Sequence, residues 1–383
     1  MINIQDKKDC CGCGACVQRC PKRCITMQED KEGFLYPEID RTCCIDCGLC
    51  EKVCPVINQG GNRSPIEVYA SKCQVDEIRI NSSSGGIFSM LAEKVIENGG
   101  VVFGARFNDR WEVVHDYAET IEGIIPFRGS KYVQSVIGET YKQAEVFLKQ
   151  GRFVLFSGTS CQISGLLHFL RKDYKNLITV DVICHGVPSP LVWCQYLKEI
   201  GFIVQDKKPV ISGISFRNKR LGWRKFGFEI RYDKEEANFF EMHRNNIFMR
   251  GFLHNIYLRP SCYACPAKGG RSQSDITLGD YWGVELYHPE FYDDKGVSAV
   301  LINTERGKRI YSQLKVDGVS TDYNKILLGN SCIEHSVKIS KYRDDFFDVL
   351  NKSEFSLIGI ITKRTRPSLL RRIISYARRI TGI

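Results

Sequence analysis

The chain has 383 residues, with 43% hydrophobic and 26% charged side chains, 33 glycines and 12 prolines. That composition describes two or three folded units and excludes collagen-like, low-complexity and wholly disordered chains. The net charge of +10 is uneven: residues 1–60 sum to −1 (8 basic, 9 acidic), the last 21 carry seven Lys or Arg and no acid, and the 302 between them hold +4. A basic tail, not a nucleic-acid surface, accounts for the excess.

No apolar run approaches the ~18–20 residues of a membrane span, and the opening residues have no apolar signal-peptide core. A cytoplasmic location is therefore expected, where thiols stay reduced. Eighteen cysteines in that compartment point to metal ligation before disulfides.

Eleven cysteines lie within the first 54 residues, and eight of them repeat one spacing. Cys10, Cys13, Cys16 and Cys20 precede Pro21; Cys44, Cys47, Cys50 and Cys54 precede Pro55. This is the bacterial ferredoxin run, in which three thiolates wrap one cube and the fourth ligates the other cluster. The rule assigns Cys10, Cys13, Cys16 and Cys54 to a first [4Fe-4S] cluster, and Cys44, Cys47, Cys50 and Cys20 to a second. The competing reading is zinc, whose CxxC knuckles are separated by a dozen residues or more; steps of three, three and four fit a cube better. Cys11, Cys24 and Cys43 fall outside the register and are expected to pack as small hydrophobes. Gly33–Pro37 predicts a short strand between the two runs.

Residues 57–66 read as a linker, followed by a strand over Val68–Ser71. Asn81-Ser82-Ser83-Ser84-Gly85-Gly86 leads into a helix with apolar positions 87, 88, 91, 92, 95 and 96. Asn98-Gly99-Gly100 ends that helix before a strand over Val101–Phe107. The Ser/Gly turn suits a phosphate at a helix start, or one serine is simply an N-cap. Gly129–Ser135, Ser215–Trp223 and Ser274–Gly283 set cations beside aromatics, which suits a flat anionic cofactor such as a flavin dinucleotide and suits ordinary loops nearly as well. No GxGxxG fingerprint, Walker loop or GxSxG elbow is present.

The apolar run 153–156 and the turn Ser157–Ser160 precede Cys161, and the strand Ile178–Ile183 precedes Cys184. Both cysteines thus follow buried strands, where open α/β sheets bind ligands. With Cys262 and Cys265 they could converge four thiolates; the alternative is two buried core cysteines and an independent CxxC. His185, beside Cys184, reads as a structural hydrogen-bonding group, and Cys73, Cys194 and Cys332 as structural cysteines. The tail Ser368–Ile380 alternates apolar and arginine pairs at helical steps, which fits an anionic membrane surface or docking on protein.

In this order the two cysteine runs, Ser83-Ser84-Gly85-Gly86, Gly129-Ser130-Lys131-Tyr132, Gly158-Thr159-Ser160-Cys161-Gln162, Cys184-His185-Gly186, Phe216-Arg217-Asn218-Lys219, the Cys262/Cys265 pair and Asp275–Asp280 resemble the coenzyme F420 hydrogenase/dehydrogenase beta-subunit family. The likeness is to its bacterial branch, often encoded with polysaccharide-assembly enzymes, and covers residues 1 to about 350; Ser160 stands where the family usually has Pro. The resemblance implies an iron–sulfur flavoprotein oxidoreductase with a third cluster on Cys161, Cys184, Cys262 and Cys265. It implies FAD held by a pocket including Ser83, Ser84, Gly85, Gly86, Lys131, Tyr132, Gln134, Gly158, Thr159, Arg217, Lys219 and Asp280.

The expected fold is α/β, α+β overall: a two-cluster ferredoxin-like domain over 1–58, then a mixed α/β flavin and iron–sulfur domain in two parts, 67–150 and 151–350, and a basic amphipathic tail over 351–383. Expected partners are a redox protein or ferredoxin and an organic substrate, with peripheral membrane contact through the tail. An electron-transfer subunit without substrate chemistry is the rival reading, and a zinc-stabilised binding protein a weaker one.

Overall fold

The computed structural model describes residues 1–201, 211–233, 238–352 and 356–365. At the N-terminus, strands β1 (Ile25–Glu29) and β2 (Leu35–Ile39) form an antiparallel hairpin, paired from Ile25↔Ile39 to Glu29↔Leu35. The hairpin separates two short helices, Ala15–Arg19 and Leu49–Lys52, one in each cysteine run. The expected strand at Gly33 starts two residues later. Asp30 Oδ1 accepts the Glu32 and Phe34 backbone N–H groups at 3.0 Å, and Gly33 turns with φ +81°. A Cβ on Gly33 would lie 2.3 Å from that of Leu191, so the tip is shaped to dock. Phe34, fully buried, enters an aromatic cluster with Trp193, Tyr196 and Phe228. Beside it Arg343 grips Glu32 through both guanidinium nitrogens, at 2.5 and 3.0 Å.

The rest of the chain is built on strands β3 (Glu67–Cys73), β4 (Val101–Phe107), β5 (Val113–Ala118), β6 (Val154–Thr159), β7 (Leu177–Val182), β8 (Ile211–Asn218), β9 (Gly227–Tyr232), β10 (Phe239–Met242), β11 (Ile276–Asp280), β12 (Ser298–Ile302) and β13 (Val316–Ser320). Eight of them form one mixed sheet in the order β13-β3-β12-β11-β7-β6-β4-β5. β11, β7, β6 and β4 are parallel neighbours, flanked by antiparallel strands on both sides. Buried runs such as Val154-Leu155-Phe156 and Leu177–Val180 are what a parallel centre covered on both faces demands. A smaller antiparallel sheet, β10-β9-β8, closes over the aromatic cluster.

Helix Ile87–Glu97 buries Ile87, Leu91, Ala92 and Val95, the face its apolar spacing predicts, and β4 has the predicted bounds. Two local expectations are corrected. Ser157-Gly158-Thr159 is not a turn: β6 runs through it because Thr159 pairs with Val182 of β7, and cross-strand pairing overrides Ser/Gly propensity. Nor does a serine cap the helix at Ile87; Gly86, at φ +87°, occupies the N-cap without any side-chain cap, and the serines bond elsewhere.

Near the other end, Glu199 accepts the Leu357 and Ile358 N–H groups at 2.6 and 3.0 Å, capping helix Leu357–Thr365. Anions are favoured at helix N-termini. The Ser368–Ile380 segment expected to be an amphipathic helix lies outside the described residues. Among those described, no helix is long and apolar enough to cross a membrane.

Candidate metal centres

Each cysteine run folds its loop by alternating backbone handedness. Gly12 and Gly14 have φ of +70° and +71°, and Asp46 and Gly48 match them with +50° and +69°. Alternation of this kind turns successive N–H groups inward, a concavity that suits anions and iron–sulfur sites. The third cysteine then sits in the short helix and the fourth just beyond it, Cys20 and Cys54.

The two runs exchange their fourth members. A hollow of about 370 Å³ is lined by Cys44, Cys47, Cys50 and Cys20. Another, of about 330 Å³, is lined by Cys10, Cys13, Cys16 and Cys54. Among the described residues, no three His, Cys, Asp or Glu side chains gather tightly enough for a single ion; each set rings a space. These donor sets fit a cube, whose four thiolates enclose iron and sulfide rather than meeting at one point. The hollow of the Cys44 run opens outward, with Cys47 exposed and Ile45 57% exposed. Around that of the Cys10 run, Cys13, Cys16 and Cys54 are buried. Burial pushes the Cys16 thiol up to about 12, so without metal it keeps its proton, and ligation must displace that proton.

Of the cysteines outside the register, Cys11 and Cys24 are buried, Cys24 lying 3.4 Å from Cys20, sulfur to sulfur. Cys43 does not pack as a hydrophobe: it is exposed, its thiol donating to the Asp40 carbonyl at 3.5 Å. Cys11 does fill space, and it does so in the one buried cluster that also takes in Cys13 and Cys161.

Cys161 lies in the first turn of helix Ser160–Leu170, directly after β6, and Cys184 follows β7. Both therefore stand at the carboxyl edge of parallel neighbours, where such sheets bind ligands. Cys262 and Cys265 come from the short 3-10 turn Pro260–Ala264 and its end. Val187 N–H donates to Cys262 Sγ at 3.4 Å, holding that loop against the Cys184 turn. Burial pushes the Cys184 thiol up, Lys268 opposes it, and Cys262, Cys161 and Cys265 push it further; the four sulfurs share one electrostatic neighbourhood. Lys268 Nζ donates to the Cys184 and Cys332 carbonyls at 2.5 Å. The first run abuts this third set: a Cβ at Gly165 would lie 2.8 Å from Cys13 Cβ and 2.9 Å from its sulfur.

Most of the residues expected to line a flavin pocket gather at the same sheet edge, around the end of β11. Arg217 forks onto Asp280 at 2.7 and 3.0 Å and reaches Tyr132 Oη and the Ser83 carbonyl. Trp223 Nε1 donates to Asp280 at 2.7 Å. Ser83 Oγ accepts the Ser130 N–H at 2.6 Å, and Ser84 Oγ donates to the Val297 carbonyl at 2.8 Å. Gly85 donates to Ser298 Oγ, and a Cβ on it would meet the Ser71 carbonyl at 2.3 Å. Lys219 Nζ is held by the Arg79, Ser84 and Lys295 carbonyls, while burial pushes its pKa down to about 7. Lys131 Nζ turns back onto the carbonyls of Pro126, Arg128 and Gly129; burial lowers it to about 7 as well. Gln134 stands apart, between the Cys11 carbonyl and Arg259. Gly158 and Thr159 end β6, where Thr159 and Gln162 form a capping box and Thr159 Oγ1 lies 3.2 Å from Cys161 Sγ. His185 bonds Asn255 at 2.7 Å.

Residues 9–58 match the family model of the 4Fe-4S dicluster domain, and residues 151–322 match that of the C terminus of the coenzyme F420 hydrogenase/dehydrogenase beta subunit. The chain carries both domains. A coenzyme F420-dependent sulfite reductase of Methanocaldococcus jannaschii is 23% identical over 83% of this chain and 48% of its own length. The F subunit of the F(420)H(2) dehydrogenase of Methanosarcina mazei is 24% identical over 46% of this chain and 53% of its own. The chain thus spans about half the length of these curated relatives. A chain of the xenon-derivatized F420-reducing [NiFe] hydrogenase complex from Methanosarcina barkeri aligns over 83% of this chain and 94% of that one, at TM-score 0.46 and 16% identity.

The large sheet also draws in His115, which nothing local in the sequence singles out. β5 pairs it opposite Ala105 of β4, its ring stacks on Phe156, and its Nε2 lies 3.0 Å from the Ser157 carbonyl. Nε2 therefore carries the hydrogen, and Nδ1 is buried without a partner. Burial pushes the pKa down to about 4, below the ~6.5 of a free imidazole. Between those values the unfolded chain binds a proton that the folded chain refuses, so stability is lost as pH falls through that window. Measured as the difference between wild type and His115→Gln, which cancels the titrations common to both, roughly 3 kcal/mol of stability is expected to vanish between pH 6.5 and 4. A difference independent of pH would show that the imidazole takes up its proton in the fold as readily as in the unfolded chain.

Proposed function

We propose that this chain is an iron–sulfur oxidoreductase of the F420 hydrogenase beta-subunit type, conducting single electrons between a partner protein and a site at the carboxyl edge of the large sheet. The observation that carries this reading is the exchange of Cys20 and Cys54 between the two hollows, which a pair of ferredoxin cubes requires and zinc knuckles do not. Held by these sulfurs and by Cys161, Cys184, Cys262 and Cys265, three [4Fe-4S] clusters would supply one-electron redox chemistry. The thiols order the stations. Cys47, exposed, puts the second cluster's side toward a redox partner or ferredoxin. Cys13 lies against helix Ser160–Leu170, packed in one cluster with Cys11 and Cys161. The same reading takes 1–58 as one unit and 67–150 with 151–350 as another, supported by strands of both segments sharing one sheet.

FAD is the second part of the proposal, with Ser83, Ser84, Gly85, Gly86, Lys131, Tyr132, Arg217, Lys219 and Asp280 as its surroundings. Support comes from the family resemblance and from two buried nitrogens left without partners at this edge, Arg217 Nε and His115 Nδ1. A flavin bound there would exchange an electron pair with an organic substrate and single electrons with a cluster. Around it, Arg217 and Lys219 would hold positive charge against phosphate or a reduced ring, and His115 would offer a neutral acceptor.

One observation favours a pure electron carrier instead: Lys131, Lys219 and Arg217 already satisfy their charged ends on carbonyls and on Asp280. Flavin analysis of the anaerobically purified, iron-loaded chain separates the two readings. About one flavin per chain supports the oxidoreductase with its own substrate chemistry; full iron without flavin assigns the chain to the carrier role. The relatives' names suggest deazaflavin F420 as a candidate substrate, tested by anaerobic reduction of F420 with the dithionite-reduced protein.

A further inference from the structure

Buried guanidinium groups in this protein are paired with carboxylates, with one exception among the described residues. Arg343 holds Glu32, Arg217 holds Asp280, and Arg79 holds Asp293. Arg259 is 1% exposed, yet its hydrogen-bond partners are the Cys10 carbonyl at 2.8 Å, the Leu35 carbonyl at 2.9 Å, the Gln134 side-chain oxygen at 3.0 Å and the Cys10 sulfur at 3.6 Å. Tyr36 lies under it, ring centroid 4.3 Å away. A buried cation is costly unless an anion faces it, and no carboxylate is among these partners. The Cys10 sulfur, at 3.6 Å, is the one partner that becomes anionic when it ligates iron.

The backbone is arranged to let this group in. Gly12, inside the first run, has φ +70°, and a Cβ there would lie 2.8 Å from Arg259 Nη1 and 2.9 Å from its Cζ. Arg259 also precedes Cys262 by three residues and forms the N-cap of the turn that carries it. One side chain therefore touches the first cysteine run while its backbone belongs to the third set.

We propose that Arg259 is the counter-charge of the first cluster, a positioning residue that raises that cluster's reduction potential and fixes its loop against the third set. Net charge and hydrogen bonds to sulfur set cluster potentials, and a fixed cation favours the reduced, more negative state. With Arg259 in place, the first cluster accepts an electron from the second more readily. The inference rests on the cluster reading above.

The test uses the full, iron-loaded chain and an anaerobic redox titration followed by electron paramagnetic resonance. Arg259→Gln is expected to lower the potential of one cluster by at least about 59 mV, a tenfold change for a one-electron couple, and to leave the others unmoved. Arg259→Lys, which keeps the charge, should shift it by less than half as much. Loss of one cluster from the Gln chain alone, with the Lys chain retaining iron and potential, also supports charge as the agent. An unmoved potential at normal iron content overturns the proposal, as does a shift shared by all clusters, an equal shift in the Gln and Lys chains, or iron loss in both variants. A wild-type chain without iron and sulfide would instead defeat the cluster reading itself.

Discussion

Serine at both Cys262 and Cys265 is expected to remove about four of about twelve irons per chain while the two ferredoxin-type signals persist. The two cysteines lie on the loop that Val187 holds against the Cys184 turn, and their thiols are buried, that of Cys262 pushed up to about 12 by burial. Buried thiols of this kind are inert unless a metal displaces their protons. If they are only core packing, two Cys→Ser changes leave the iron count unchanged. Iron and acid-labile sulfide analysis decides, with Cys194→Ser as a control for thiol loss away from any proposed ligand set.

Arg343→Met is expected to cost about 3–5 kcal/mol of stability, because it strands the Glu32 carboxylate among apolar groups. Arg343 is 6% exposed and Glu32 10%, and the same guanidinium also donates to the Leu258 carbonyl. The pair ties the tip of the ferredoxin hairpin to helix Arg343–Leu350, so its loss loosens the seat of the dicluster domain. The double change Glu32→Gln with Arg343→Met should cost less than Arg343→Met alone, since no unpaired charge remains. Anaerobic urea unfolding of the three variants measures both numbers. Equal losses in single and double variants would mean that packing, not charge, is what Arg343 supplies.

These two sites also mark what a sequence can and cannot reveal. The ferredoxin runs are legible because ligand spacing is local: Gly12 to Gly14 and Asp46 to Gly48 form the turns within the runs themselves. The helix at Ile87 and the strand at Val101 are legible from apolar period. Cys161 and Cys184 are readable as cysteines after strands, but their meeting with Cys262 depends on β6 lying beside β7 and on the Val187 contact, neither of which any short window encodes. Ser157–Thr159 misleads because turn-forming residues are held extended by pairing across to β7. Ser83 and Ser84 mislead likewise, their hydroxyl groups serving Ser130 and Val297 rather than the helix. Arg259 and His115 are tertiary facts. The only local hint was an arginine three residues before a CxxC pair.

Helix Leu357–Thr365 docks on Glu199 and on Arg250, which donates to Thr365, placing its last described residue beside helix Ile247–Leu253.

If twelve cysteines hold three cubes, the anaerobically reconstituted full chain contains about twelve irons and about twelve sulfides, with paramagnetic signals after dithionite reduction. Stoichiometric zinc without sulfide would contradict it.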